Sequence, residues 1–134
     1  MLKGYDGLCK NIHGHSYRLA VTIKGQTISD IKSPKLGMVM DFGDLRRIVY
    51  ENIIDVYDHA LVANESENDE KKMHLKAGTG KMIFTTFQPT CENMVSDFAR
   101  IIIEKLPSHL KLYSIRLYET ATSFAEWHAI DNKL

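Results

Sequence analysis

A short alternation sets the tightest limit on how this chain folds. Tyr17, Leu19, Val21 and Ile23 fall on one face of an extended segment, and Ser16, Arg18, Thr22 and Lys24 fall on the other, with Ala20 neutral among them. Successive strand side chains point to opposite sheet faces, so the pattern specifies a half-buried antiparallel strand. From Leu112 to Glu119 it recurs: Tyr113, Ile115 and Leu117 share a face with Glu119, while Arg116 and Tyr118 share the other with Leu112. Met82 to Phe87 is apolar and β-branched and ends at Gln88-Pro89, which reads as another strand; Phe124 to His128 reads as the last. Trp127 and Phe124 cannot share a face there, so the sheet must be buried on both sides or meet another subunit.

Helical spacing fills two of the gaps. Asp41-Phe-Gly-Asp44 reads as a helix start, with Asp41 capping and Asp44 completing a variant of the capping box. Leu45, Ile48, Val49, Asn52 or Ile53, and Val56 then make one apolar face for about four turns. Thr90 caps a second helix with a stripe of Met94, Val95, Phe98, Ile101, Ile102 and Leu106, stopped by Pro107. Residues 25–37 are irregular. Residues 64–81, rich in Asn, Glu, Asp, Lys and Gly, read as a mobile surface connection with at most a helical turn near Glu70 to His74. Gly78-Thr-Gly80-Lys81 lacks the Walker A spacing and receives no nucleotide role. The order strand, helix, strand, helix, strand, strand gives an α+β layer with helices on one sheet face. One chain leaves apolar residues on the other face uncovered, and oligomerisation is the simplest remedy.

Composition removes several function classes. The 134 residues suit one domain spanning 1–134, and 17 basic against 17 acidic residues advertise neither a nucleic-acid nor a membrane surface. No apolar run reaches membrane-span length, and the first residues lack a signal-peptide core, so a cytoplasmic location is expected. Cys9 and Cys91 are too few for a disulfide scaffold; Cys91 reads as a small buried side chain near a helix start.

The chemistry concentrates in Cys9-Lys-Asn-Ile-His13-Gly-His15-Ser-Tyr17. Two imidazoles two positions apart on an extended segment point the same way, the geometry by which they converge on one metal ion, zinc first. Gly14 removes bulk between them and frees the backbone. The spacing of Cys9 leaves open whether its thiol binds the metal or works beside it. Asp58-His59 is either a proton-transfer pair, the acid fixing the ring's tautomer, or a solvated helix end. Glu119 ends a strand in line with the apolar side, where an unpaired carboxylate is costly, so a cation or a ligand should satisfy it.

Together with Gly37-Met-Val-Met-Asp41-Phe-Gly-Asp44-Leu45, Pro89-Thr-Cys-Glu-Asn93 and Glu119-Thr-Ala-Thr-Ser-Phe-Ala-Glu126, these blocks resemble the 6-pyruvoyltetrahydropterin synthase / 6-carboxytetrahydropterin synthase family. The likeness runs from about Tyr5 to His128, with five blocks in the right order. It implies a tunnelling fold (T-fold): an antiparallel sheet with two helices on one face, assembled as a homotrimer or homohexamer with active sites between subunits. It implies a pterin triphosphate substrate, 7,8-dihydroneopterin triphosphate, and a Zn2+ cofactor. By the same resemblance His13 and His15 are zinc ligands, Cys9 is the catalytic thiol, and Asp58 and His59 form the proton relay. Glu119 anchors the pterin's guanidine-like edge, with Thr90, Glu92 and Thr120 in the same pocket. A thiol near such a cation would favour its thiolate form, and zinc on two adjacent hydroxyls would acidify them.

The expected reaction gives 6-carboxy-5,6,7,8-tetrahydropterin, acetaldehyde and triphosphate, a step toward queuosine. Alternatives are the pyruvoyl synthase, which eliminates triphosphate and keeps the side chain, or a T-fold protein that binds a pterin or purine without turnover. A relative that makes 6-hydroxymethyldihydropterin carries Glu in place of the Cys, so Cys9 argues against it. The family supplies a third zinc histidine from a first strand, in a Phe-x-x-x-His block upstream of the cysteine. That block is missing before Met1, and His74 and His128 are the only substitutes offered. The expectation is a start placed too far downstream, or an inert or altered relative; as written, weak metal occupancy and impaired assembly would follow.

Overall fold

The computed structural model describes residues 1–134. In chain order the elements are β1 (Arg18–Lys24), α1 (Phe42–Val49), α2 (Asp55–Tyr57), β2 (Leu61–Asn64), α3 (Asp69–Gly78), β3 (Met82–Thr85), α4 (Cys91–Lys105), β4 (Lys111–Tyr118) and β5 (Phe124–His128). Single 3-10 turns lie at Leu8–Lys10 and Ile130–Asn132.

β1, β4 and β5 form an antiparallel sheet in the order β1-β4-β5, with Leu19 opposite Leu117 and Leu117 opposite Ala125. β1 alternates as its sequence dictates, Leu19, Val21 and Ile23 turned toward the core. β4 does not keep strict alternation. Its pairing with β1 slips by one residue at Thr22/Ile23, a bulge that brings Leu112 onto the same buried face as Ile115 and Leu117 and turns Tyr113 outward. The expected grouping of Tyr113 with Ile115 is therefore overturned below the bulge. Trp127 is buried and Phe124 half-exposed, so the last strand puts one aromatic on each face.

α4 lies across β4 and β5 and buries Met94, Val95, Phe98, Ala99 and Ile102 against Leu112, Ile115, Leu117 and Trp127. Thr90 caps it, its hydroxyl accepting from the Asn93 N–H. The α1 rod packs on the same core. Asp41 caps it through the Gly43 N–H, but Asp44 turns to Lys35 and Arg47 instead of completing a capping box. The rod is not a regular helix throughout. Residues Tyr50–Ile54 form a wide π-turn, which adds a residue to the helical repeat. Ile53, Ile54 and Tyr57 consequently face inward while Val56, expected on the apolar face, is exposed. The Asn52 side-chain amide donates to the Ile48 carbonyl at 2.8 Å across this turn.

The segment 64–81 departs most from expectation. It contains α3, capped by Asn68 accepting from the Lys71 N–H, and it joins two strands that pair in parallel, Leu61 beside Met82. β3 thus joins β2 in a separate two-stranded sheet and not the antiparallel one. Parallel strands need a crossover, and α3 supplies it. β2 is too short and too uniformly apolar to show a period.

The outer face of the antiparallel sheet carries exposed rings, as expected, with Tyr113 and Phe124 each 48% exposed, but charged side chains lie among them. Arg116 forks onto Glu126 at 3.0–3.1 Å and stacks over Phe124, and Arg18 lies 4.0 Å from the Tyr118 ring centroid. These cations cover the aromatic rings that one chain leaves outside. No helix is long and apolar enough to cross a membrane.

Candidate active site

A cavity of about 770 Å³ opens where the N-terminal segment, the lower end of the α1–α2 rod and the ends of β1 and β4 meet. That is a volume suited to a drug-sized or cofactor-sized ligand. Cys9, His13, His15, Asp58, His59, Thr90, Glu92 and Glu119 all line it, together with Tyr17 and the apolar surfaces of Ile53, Ile54, Tyr57 and Leu117. The tertiary fold therefore brings together residues from four separate stretches of sequence. Thr120 does not reach the cavity. Its hydroxyl accepts the Thr122 and Ser123 N–H groups, which fixes the turn between β4 and β5 instead.

Cys9 sits half-buried in the 3-10 turn, its carbonyl tied to the Leu2 N–H at 2.8 Å. His13 and His15 lie on an irregular stretch ahead of β1, ring centroids 4.8 Å apart at 83°. His13 Nδ1 is 2.8 Å from the Asn11 carbonyl, a contact in which it can only donate; that tautomer leaves Nε2 with a free lone pair. His15 Nε2 is buried without a hydrogen-bond partner, 3.4 Å from Glu119 Oε1 but misaligned for a hydrogen bond. An orphaned ring nitrogen and a second imidazole with its lone pair directed away from the backbone fit two positions around a metal ion such as zinc. No group of three or more His, Cys, Asp or Glu side chains is gathered as a metal cluster. His74 and His128 do not line the cavity, and His128 faces Glu126 on the outer sheet face. Gly14 neither adopts a positive φ nor is crowded: a Cβ there would meet nothing within 4 Å, so the glycine keeps cavity space open and relieves no clash.

Glu119 extends from the end of β4, its backbone N–H held by the Ser123 carbonyl. No Lys or Arg pairs with it. Burial, followed by the nearby Glu119 carboxylate, pushes the Tyr17 phenol well above its ordinary value, and Tyr17 packs 5.3 Å from the His15 ring. This wall is consequently a poor place for a second negative charge and a good one for a donor-rich edge. Tyr17 was legible only as a core-facing strand residue; its place two positions after His15, in the same alternation, was the available signal.

The opposite wall is built differently. Asp58 Oδ1 meets His59 Nδ1 at 2.9 Å although the residues are adjacent. His59 has φ of 54°, the left-handed region, which costs a non-glycine residue roughly 1 kcal/mol or more. That turn lets neighbouring side chains converge. The pair stands in solvent, His59 91% and Asp58 63% exposed. Cys91, by contrast, is no part of this chemistry: its buried thiol donates to the Leu117 carbonyl, and burial pushes it up.

The comparisons with known proteins show the family. Residues 1–129 match the family described as 6-pyruvoyl tetrahydropterin synthase. The chain belongs to that family. A 6-carboxy-5,6,7,8-tetrahydropterin synthase of Haemophilus influenzae is 36% identical over 129 residues, covering 95% of this chain and 89% of the relative. Its counterpart from Rickettsia felis is 31% identical, covering 92% and 87%. A 6-pyruvoyl tetrahydrobiopterin synthase of Dictyostelium discoideum is 34% identical over 120 residues, covering 88% and 71%. The crystal structure of an uncharacterized protein from Wolinella succinogenes superposes with a TM-score of 0.71 at 18% identity, covering 90% of this chain and 80% of that one. It shares the fold. The T-fold architecture expected from the motifs is thus the one observed, an antiparallel sheet backed by helices on one face.

Proposed function

We propose that this chain is a 6-carboxy-5,6,7,8-tetrahydropterin synthase, converting 7,8-dihydroneopterin triphosphate and water to 6-carboxy-5,6,7,8-tetrahydropterin, acetaldehyde and triphosphate. The observation that carries the reading is one cavity lined by a thiol, two imidazoles, a carboxylate–imidazole pair and an acid with no Lys or Arg partner. The relatives from Haemophilus influenzae and Rickettsia felis, which bear this activity in their names, support it.

Glu119 accepts the ring N–H and amino hydrogens of the pterin, a paired charge-assisted contact that fixes the ring at the strand end of the cavity. Thr90 and Glu92, in the first turn of α4, border the same end. The pterin's side chain then extends toward His13 and His15. Zinc bound by these two histidines would supply acidification of the side-chain hydroxyls and stabilise the negative charge that develops on them. Cys9 takes a proton from the side-chain carbon, and His59 relays protons to and from the reacting oxygens while Asp58 holds its tautomer. Because that pair faces solvent in one chain, and β1 pairs on one edge only, we expect a homotrimer or homohexamer in which a neighbouring copy closes the cavity.

The test is acetaldehyde release from the substrate, followed by coupled oxidation of NADH. Wild type should release one acetaldehyde per triphosphate, and Cys9→Ala should abolish turnover while still binding a pterin. Triphosphate release without acetaldehyde would point to the pyruvoyl reaction. A Cys9→Ala variant as active as wild type would overturn the assignment of the thiol. Metal analysis should find zinc in wild type at partial occupancy, two imidazoles being fewer ligands than the usual three, and lose it in His15→Ala.

A further inference from the structure

The Asp58–His59 pair has to be held against two tendencies. It is exposed, so nothing packs on it, and His59 occupies a backbone region that its side chain disfavours. Within the corner itself the Asp58 N–H closes onto the Ile54 carbonyl at 2.7 Å, and the Ala60 N–H onto the Tyr57 carbonyl at 3.0 Å. The carbonyls at the end of α2 remain without intrahelical partners, as at every helix C-terminus. Here one side chain from the far end of the α3 crossover reaches two carbonyls of this end, those of Asp55 and the cap residue Asp58. Lys81 Nζ donates to the Asp55 carbonyl at 2.5 Å and to the Asp58 carbonyl at 2.9 Å. The backbone carbonyl of the same residue accepts the Leu61 N–H at 3.0 Å. Lys81 therefore grips the corner on both sides of His59, before it through the ammonium and after it through the main chain.

We propose that Lys81 is a positioning residue for the Asp58–His59 pair, an ammonium clamp that holds the left-handed corner in the orientation proton transfer needs. The proposal rests on the pterin synthase reading for its catalytic consequence, though not for its structural content. Three features favour a specific clamp over an incidental surface contact. The ammonium is shared between two carbonyls of one helix end, where a cation is also favoured by the helix dipole. Both contacts reach from residue 81 back to the corner, so they are not local turn geometry. Lys81 makes no ion pair with any carboxylate. The crossover helix thereby gains a purpose beyond linking β2 to β3: it delivers the clamp.

The experiment compares wild type with Lys81→Met, which keeps the length of the side chain and removes the donor, and Lys81→Arg, which keeps a donor. Acetaldehyde release gives kcat and KM, and amide hydrogen exchange reads the corner without reference to catalysis. Lys81→Met should lower kcat roughly 10-fold with KM changed less than about twofold, as outer contacts to reacting groups commonly do. Exchange at Asp58 and Ala60 should rise roughly 10-fold, with α4 and β4 unchanged. Lys81→Arg should restore most of both. Wild-type exchange at these amides in Lys81→Met would overturn the proposal, as would a fall in kcat that Lys81→Arg fails to restore. A rise in exchange spread equally through α4 and β4 would also overturn it, since Lys81 would then support the fold at large. If the wild-type protein released no acetaldehyde, the reaction assignment would fail while the exchange result still judged the clamp.

Discussion

The two walls of the cavity reach the same goal by opposite means. On one side, Tyr17 and Glu119 flank the paired ends of β1 and β4, with His15 just ahead of them, and the ladder is backed by Ile115 and Leu117 at 0% and 1% exposure. Their positions follow from strand register and core packing, which are hard to deform. On the other side, Asp58 and His59 project from a helix end into water, placed by a π-turn, a left-handed residue and a lysine from another segment. The strand wall suits recognition, since a pinned carboxylate selects a complementary edge. The corner suits proton movement, since an exposed imidazole can exchange with solvent and adjust as the reaction proceeds.

Activity should separate the walls most sharply. Glu119→Gln removes half of a charge-assisted pair and should raise KM roughly 10- to 100-fold, whereas His59→Asn should lower kcat by about 100-fold or more with KM nearly unchanged. Equal effects of both variants on KM would erase the division. Stability comes next. Ile115→Ala, at the centre of the sheet's buried face, should cost about 2–5 kcal/mol in chemical denaturation. Asn52→Ala removes the amide that bridges the π-turn to Ile48 and should cost about 1 kcal/mol, with a fall in kcat larger than that stability loss alone explains. A restored regular helix in that variant would leave Val56 buried and the corner rotated.

The smallest effect is alkaline. Burial raises the Tyr57 phenol above 10.0 and the Cys91 thiol above 9.0. In both cases the folded chain holds the proton more firmly than the unfolded chain. Their stabilising contribution is therefore complete below the ordinary values and is lost as pH rises through the raised ones. Unfolding midpoints should decline above about pH 9, and Tyr57→Phe should soften the decline; a flat profile to pH 11 would contradict the burial of both groups.

Most of the residues that line the cavity were legible in the sequence. Cys9, His13, His15, Asp58, His59, Thr90, Glu92 and Glu119 were all identified from spacing and resemblance, and all line one cavity. Thr120 was not separable from Glu119 by sequence, because a hydroxyl next to a site residue serves a turn as readily as a ligand. The bulge in β4, the π-turn at Tyr50–Ile54 and the β2–α3–β3 unit escaped for a common reason. A bulge or a wide turn inserts one residue and shifts every later side chain, and the strict period that a sequence reading assumes gives no warning of it.

What the sequence determined by itself were the elements whose local preferences and hydrophobic pattern agree: β1, α4 with its Thr90 cap, β5, and the identity of the polar side chains gathered at the cavity. Tertiary structure alone decided which helix end Lys81 would bind, that β3 would leave the antiparallel sheet for β2, and that one imidazole would keep a buried nitrogen without a partner. Those outcomes depend on contacts between residues far apart in the chain. Such contacts are set by the three-dimensional packing of whole elements, and no window along the sequence contains both partners.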